Sequence, residues 1–396
     1  MFKTTKEAIA YIEKQIRKSS LEVYQEKLKR YNIPTNQLKF IHVTGTNGKG
    51  STVNYLRSLL NKAGYRVGTF TSPYLISYHD RICINKQPIS DEELLSIVNE
   101  YETLIIQEQL SKFEIDVLIM LVYFTRKKVD YAIVEVGIGG RNDKTNVITS
   151  QLSLITNIGH DHIPALGNTL EDIAYQKAGI IQENTVVITT VSQPSCLDVI
   201  EKEARIKNAK MIVCTSPVVK DYPITFEYHD MYIELHDVAL YQVSNVILAL
   251  EAMRYLNISL SQEDIKEALS NTVWPGRFEK MNYQGRSIYI DGAHNMDGIM
   301  ALHNTIQAFK QDDVIVIFSA LRDKDYREMI EELEKYYTVY LTVFADERKV
   351  ELDALKEYQY VFASFEEALE KALESSAMLV VTGSLHFISD VRRKLS

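Results

Sequence analysis

Cysteine is scarce and forms no pattern: Cys83, Cys196 and Cys214 are the only three, widely spaced and without a CxxC pair. Neither a disulfide framework nor a zinc knuckle is indicated, and a reducing, cytoplasmic setting is the simplest expectation. Sixteen glycines and eight prolines in 396 residues are too few for a low-complexity segment, and no repeat of solenoid period is present. Long apolar runs are missing as well. The longest, VLIMLVYF at Val117–Phe124, falls far short of the roughly 18 residues that span a bilayer, so no membrane partner is expected. The first residues, MFKTTKEAIAYIEKQIRK, carry charges every few positions and lack the apolar core of a signal peptide, which reads as a surface helix. Positive charge is also short, with 44 Lys and Arg against 53 Asp and Glu and a net charge of −9. Nonspecific nucleic-acid binding is excluded on that ground, because counterion release needs clustered cations. An anionic substrate would need cations placed locally.

What is present is ample apolar material, 46% of residues, enough for two domains with full cores. Short β-branched runs alternate with helical patterns: FIHV (40–43), VGTF (67–70), YAIVEV (131–136), LSLITN (152–157) and TVVITT (185–190). Alternation of this kind predicts parallel strands covered by helices. Between the first two runs, Val53, Leu56, Leu59, Leu60 and Ala63 share one helical face that stops at Gly64. ITFEYHDMYIEL (224–235) reads as a hairpin added to the edge of this domain. A second α/β series follows, with SIYIDGA (287–293), VIVIFSA (314–320), TVYLTVFA (338–345), YVFAS (360–364) and MLVVTGSL (378–385). The Pro-Gly pair beside the only tryptophan, Trp274, suits a semi-rigid hinge or a surface turn. The expected fold is therefore α/β in two domains. An N-terminal domain over 1–275 carries a P-loop-type parallel sheet with helices on both faces; 276–284 form a hinge; a smaller Rossmann-like α/β domain covers 285–396.

The stretch FIHVTGTNGKGSTVNYL (40–56) breaks from an apolar run into a glycine-rich turn with one lysine and then a helix. Backbone N–H groups and a helix N-terminus converge on an anion in such a context. The spacing departs from the usual P-loop: Gly50 separates Lys49 from Ser51, and Val43 and Thr44 stand where the first glycine would be. Lys49 would bring a point charge to the outer phosphates, and Ser51 or Thr52 a hydroxyl to Mg²⁺. Glu135 ends a strand, and GHDH puts His160, Asp161 and His162 at another strand end, where ligands of parallel sheets bind. Together they read as a metal site, although GHDH alone reads as a solvated loop. Lys177, among apolar neighbours, reads by itself as a snorkelling lysine. In the second domain Asp291 and His294 of DGAHN, and Ser384, stand at strand ends. Two such edges predict a cleft closed by domain movement, with Arg277 reaching the γ-phosphate.

HVTGTNGKGST, TSPYL, VEVGIGGRNDKTN, GHDHIPALG, YQKAGI, WPGRFE, DGAHN, LRDKD and VTGSLHF follow one another along the chain. In that order and spacing the sequence closely resembles, from about Lys39 onward, the bacterial folylpolyglutamate synthases, often also dihydrofolate synthases, of the Mur ligase superfamily. The lysine–glycine–serine loop is itself that superfamily's form. The resemblance implies ATP binding by Gly45, Thr46, Asn47, Gly48, Lys49, Gly50, Ser51, Thr52, Asn245, Arg277 and Asp291. It implies up to two Mg²⁺ ions held by Ser51, Ser72, Glu135, His162 and a carbamylated Lys177. Ser111, Phe113 and Asp143 fall at the pterin, and His294 and Ser384 at the incoming glutamate, with Lys49, Lys177, Arg277 and His294 as the catalytic set. Tyr74, Asp80, Met296 and Ser319 replace a common His, Glu, Pro and Gly, which bears on substrate range. The implied activity is addition of L-glutamate to a folate or dihydropteroate through an acyl phosphate, in a cytoplasmic monomer. A muramoyl amino-acid ligase and a nucleotide-binding regulatory module that turns over little are the alternatives.

Overall fold

The computed structural model describes the chain except Lys18, Leu75, His162, Val273 and Ser396, with Ile163 and Pro164 described by backbone alone. Contacts divide it into two compact units, Met1–Ser216 with Ser244–Thr272, and Pro217–Val243 with Val273–Ser396. Among the described residues no helix is long and apolar enough to cross a membrane.

The first unit is built on eight strands: β1 (Lys39–Thr44), β2 (Val67–Phe70), β3 (Ile82–Ile84), β4 (Gln87–Pro88), β5 (Tyr131–Glu135), β6 (Ser150–Ile155), β7 (Val186–Thr189) and β8 (Lys210–Val213). Their order is β4-β3-β2-β5-β1-β6-β7-β8. Strands β2, β5, β1, β6, β7 and β8 pair in parallel. Helices cover both faces of such strands, so their side chains are apolar on either side rather than alternating. The sheet is mixed, not purely parallel, because β3 and β4 turn back on β2 as a hairpin. Asn85 and Lys86 at its turn both have positive φ, the backbone a tight two-residue hairpin demands. The chain leaves β1 toward β2 on one side and β6 toward β7 on the other. The carboxyl ends of β1 and β6 are thus a topological switch point, where α/β sheets bind ligands. The apolar run at Val117–Phe124 lies in the helix Lys112–Lys127, buried from Glu114 to Phe124, and it anchors the core with Leu28, Phe40 and Phe70.

The second unit holds the separate hairpin β9 (Ile224–Tyr228) and β10 (Met231–Leu235), then β11 (Glu279–Tyr283), β12 (Arg286–Ile290), β13 (Val314–Phe318), β14 (Thr338–Leu341) and β15 (Met378–Thr382) in the order β11-β12-β15-β13-β14. Strands β12 to β15 are parallel, with β11 antiparallel at one edge. Three expectations are corrected here. The hairpin at 224–235 forms its own two-stranded sheet and groups with the second unit, not with the edge of the first sheet. YVFAS makes one bridge, Leu341 to Val361, and no strand. Its last residue, Ser364, is drawn off to cap the next helix by accepting from the Glu367 N–H. Within the stretch read as a hinge, 279–283 are a strand hydrogen-bonded to β12.

Candidate functional site

In the first unit the loop after β1 is shaped by two glycines. Gly45 (φ 152°) and Gly48 (φ 84°) lie in backbone regions that suit glycine, and any side chain would collide. A Cβ on Gly45 would stand 1.8 Å from Thr156 Oγ1, and one on Gly48 2.2 Å from Asn245 Oδ1. The end of β6 clamps the loop from beside it. Thr156 donates its hydroxyl to the Asn47 carbonyl (2.5 Å), while the N–H groups of Thr46 and Asn47 donate to the Asn157 carbonyl (3.0 Å) and Oδ1 (2.8 Å). Thr46 Oγ1 donates to the Gly159 carbonyl and accepts from the Gly159 N–H.

The helix Lys49–Lys62 then starts at Gly48, where no side chain caps it. Its first N–H groups therefore face the loop's concave side, the arrangement that receives phosphate. Lys49 folds back over this cradle, its ammonium donating to the carbonyls of Gly45 and Thr46 at 3.0 Å each. Ser51 and Thr52 are buried in the first turn, and Thr52 meets Asn245 at 3.4 Å. The structure thus brings together Gly45 to Thr52 and Asn245, far apart in sequence.

Glu135 ends β5 opposite Val43 of β1 and is almost fully buried; its Oε2 accepts the Ser72 N–H at 3.1 Å. Mg²⁺ takes hard oxygen ligands, one or two of them carboxylates, and keeps several waters. The Glu135 carboxylate with the Ser51 and Ser72 hydroxyls suits that donor chemistry. His162 lies outside the described residues, and among those described no three His, Cys, Asp or Glu side chains cluster to hold a metal by themselves.

Lys177 is not a snorkelling surface lysine. It lies 3% exposed on the helix Leu170–Ala178, and burial, reinforced by the Lys49 cation, holds its amine well below the usual lysine range against the pull of Asp161. A buried amine gives up its proton more readily than an exposed one. The GIGGR loop packs against this helix, Arg141 N–H donating to the Gln176 carbonyl at 2.7 Å.

Phe113 and Asp143 meet at Gly137. A Cβ there would be 2.7 Å from Phe113 Cζ and 3.0 Å from Asp143 Oδ2. Ser111 has a local duty: it caps the helix Lys112–Lys127, accepting from the Glu114 N–H, while the Glu114 carboxylate accepts the Ser111 N–H.

In the second unit Asp291 follows β12, fully enclosed. Its Oδ2 accepts from the Tyr241 hydroxyl (2.5 Å) and the Phe278 N–H (2.8 Å), and its Oδ1 from the Ala293 N–H (2.9 Å). Burial pushes this carboxyl up, while the Tyr241 bond and the Arg277 guanidinium hold it down. His294 Nδ1 stands 2.7 Å from the Gly292 carbonyl. A carbonyl only accepts, so Nδ1 carries a proton. Arg277 lies over Gly292, its Nη1 3.0 Å from where a Cβ would sit. Ser384, just past β15, accepts from the His386 N–H at 3.2 Å. Sequence reasoning missed Thr156, Asn157 and Tyr241, and also His42, whose partner Thr145 is 103 residues away. For Thr156 and Asn157 the available signal was their place at the end of the run 152–157; Tyr241 carried none.

The chain matches two protein-family models, the Mur ligase middle domain over residues 43–253 and the Mur ligase glutamate ligase domain over 276–385. Bacillus subtilis (strain 168) dihydrofolate synthase/folylpolyglutamate synthase is 37% identical, with 100% of each chain covered. A solved FPGS–AMPPCP–folate complex superposes with a TM-score of 0.87 at 31% identity, covering 99% of each chain. Escherichia coli FolC in complex with ADP superposes with a TM-score of 0.89 at 26% identity over 99% of this chain and 97% of its own.

Proposed function

This chain belongs to the folylpolyglutamate synthase/dihydrofolate synthase branch of the Mur ligase family, and from that premise we propose that it joins L-glutamate to a folate carboxylate with cleavage of ATP, and to dihydropteroate as well. The observation that carries the reading is the glycine-built anion loop at the carboxyl end of β1, with Lys49 folded into it and the Glu135 carboxylate on the neighbouring strand end. A regulatory nucleotide binder has no use for a buried carboxylate and a buried lysine in addition to the loop.

A carboxylate resists amide formation because its leaving group would be oxide. One carboxylate oxygen of the pterin substrate attacks the γ-phosphorus of ATP, and ADP leaves. The glutamate nitrogen then attacks the acyl carbon, and phosphate departs with the transferred oxygen. Both steps bring anions together, so catalysis is largely charge neutralisation and alignment. The N–H groups at the helix start, from Gly48 to Ser51, and the Lys49 ammonium take the phosphates, with Gly45, Thr46, Asn47, Thr52 and Asn245 shaping the loop and Arg277 and Asp291 as further nucleotide contacts. Glu135, Ser51 and Ser72, with His162 and Lys177, are the proposed Mg²⁺ positions; the ion, when bound, neutralises phosphate charge. Phe113 and Asp143, with Ser111 beside them, receive the pterin. His294 Nε2 takes the proton from the incoming amine, and Ser384 is a neighbouring contact. The first unit carries the phosphate loop, the second receives glutamate, and the enzyme acts as a cytoplasmic monomer.

Phosphate release should require ATP, glutamate and a pterin substrate together, and Lys49→Ala should abolish it. Release that continues without glutamate, or without the pterin, would sink the proposal. Running dihydropteroate and a reduced folate monoglutamate side by side separates the two activities.

A further inference from the structure

Behind Asp143 lies a line of buried hydrogen bonds that the ligase chemistry does not use directly. His42, on the central strand β1, is fully buried, with Nε2 2.9 Å from Thr145 Oγ1. Thr145 Oγ1 stands 2.5 Å from Asp143 Oδ1, and the Thr145 N–H donates to the same oxygen at 2.9 Å. The other carboxylate oxygen, Oδ2, accepts the Ile138 N–H at 3.0 Å and borders the Phe113 ring at Gly137.

The direction of these bonds follows from donor counting. A threonine hydroxyl has one proton. If His42 offered a lone pair at Nε2, that proton would be contested between imidazole and carboxylate. Nδ1 of His42 is buried without a hydrogen-bond partner. A proton placed there would leave a buried N–H unsatisfied, which costs more than a bare lone pair. Burial also drives the imidazole's affinity for protons down to about 3, so the ring stays neutral with a single N–H. Only one arrangement satisfies all three groups: His42 Nε2–H donates to Thr145, and Thr145 O–H donates to Asp143.

We propose that His42 and Thr145 are positioning residues for the pterin end of the substrate. Saturating Oδ1 with two donors, they lock the Asp143 rotamer so that Oδ2 faces the space beside Phe113 as an acceptor for the ring N–H groups of a flat heteroaromatic. Burial pushes the Asp143 carboxyl up, and the Thr145 hydroxyl and the Ile138, Thr145 and Gly137 N–H groups hold it down. These neutral donors therefore keep the buried carboxylate oriented. Neither His42 nor Thr145 touches the substrate. The inference rests on reading Asp143 as a pterin contact.

The test compares KM for tetrahydrofolate monoglutamate, KM for ATP and kcat in a set of variants. Thr145→Val keeps the shape and removes the hydroxyl; folate KM should rise at least about tenfold, the worth of one buried hydrogen bond to a charged group, with ATP KM and kcat within about twofold. Thr145→Ser, which restores the donor, should return folate KM to its original range. His42→Leu should follow Thr145→Val, and His42→Gln, whose amide can donate from a similar position, should recover most of the loss. If His42→Leu does not fold, the two Thr145 variants decide the matter. An unchanged folate KM in Thr145→Val, or an equal rise in both KM values, overturns the relay. Asp143→Asn separates the layers. If it raises folate KM while Thr145→Val does not, only the relay falls; if it has no effect, the assignment of Asp143 falls and the relay with it.

Discussion

Burial lowers the Lys177 amine's hold on its proton, and a neutral amine is the form that adds carbon dioxide to become a carbamate. The carbamate is an oxygen-bearing anion, suited to a hard cation where a lysine ammonium is not. Lys177→Arg should therefore lower ligation roughly 100-fold, in the range seen when a metal's outer partner is lost, because a guanidinium keeps its charge and cannot be carbamylated. Mass spectrometry of the intact protein kept in bicarbonate should show a gain of one CO₂ on wild type that is missing from the variant. Full activity in Lys177→Arg would remove the carbamate from the mechanism. Read on its own, Lys177 is one lysine among apolar neighbours. The Asn157 and Asn245 contacts that shape the phosphate loop are equally hidden, since their partners lie some 110 and 193 residues away.

Among the elements, the helix Lys112–Lys127 is capped by a residue also proposed as a substrate contact. Ser111 and Glu114 cap it reciprocally, a bond pattern worth about 1 kcal/mol. Ser111→Ala should lose about that much stability in urea unfolding, and Ser111→Asp, which still accepts the Glu114 N–H, should recover it. Since an aspartate cannot donate as the serine hydroxyl does, both variants should raise folate KM; a normal KM in Ser111→Asp would strike Ser111 from the substrate contacts. Most strands were readable as β-branched runs because buried parallel strands are apolar on both faces. Edge strands were not: KMIV of β8 and EKMNY of β11 keep polar residues and partial exposure, and that pattern does not separate a strand from a loop. YVFAS failed the other way, being apolar enough for a strand but ending in a helix cap.

For the molecule as a whole, each unit has a core of its own, one around Phe40, Phe70 and Phe124, the other around Phe278, Phe318 and Met329. The phosphate loop belongs to the first unit. Calorimetry should show that unit stabilised by about 2.7 kcal/mol when AMPPCP is present at about 100 times its Kd. Lys49→Ala should remove the shift; an equal shift in the variant would mean that the loop does not hold the phosphates. Residue order alone was enough to place the phosphate loop, the strand-end carboxylates and the ligase family, because glycine spacing and strand-end position are local properties of the chain. The Lys177 amine's state, the Thr156–Asn157 clamp, the direction of the His42–Thr145–Asp143 bonds and the hairpin's allegiance to the second unit were decided only by folding. Each depends on burial or on partners from distant segments, and a dielectric environment or a hydrogen-bond geometry does not exist until those segments meet.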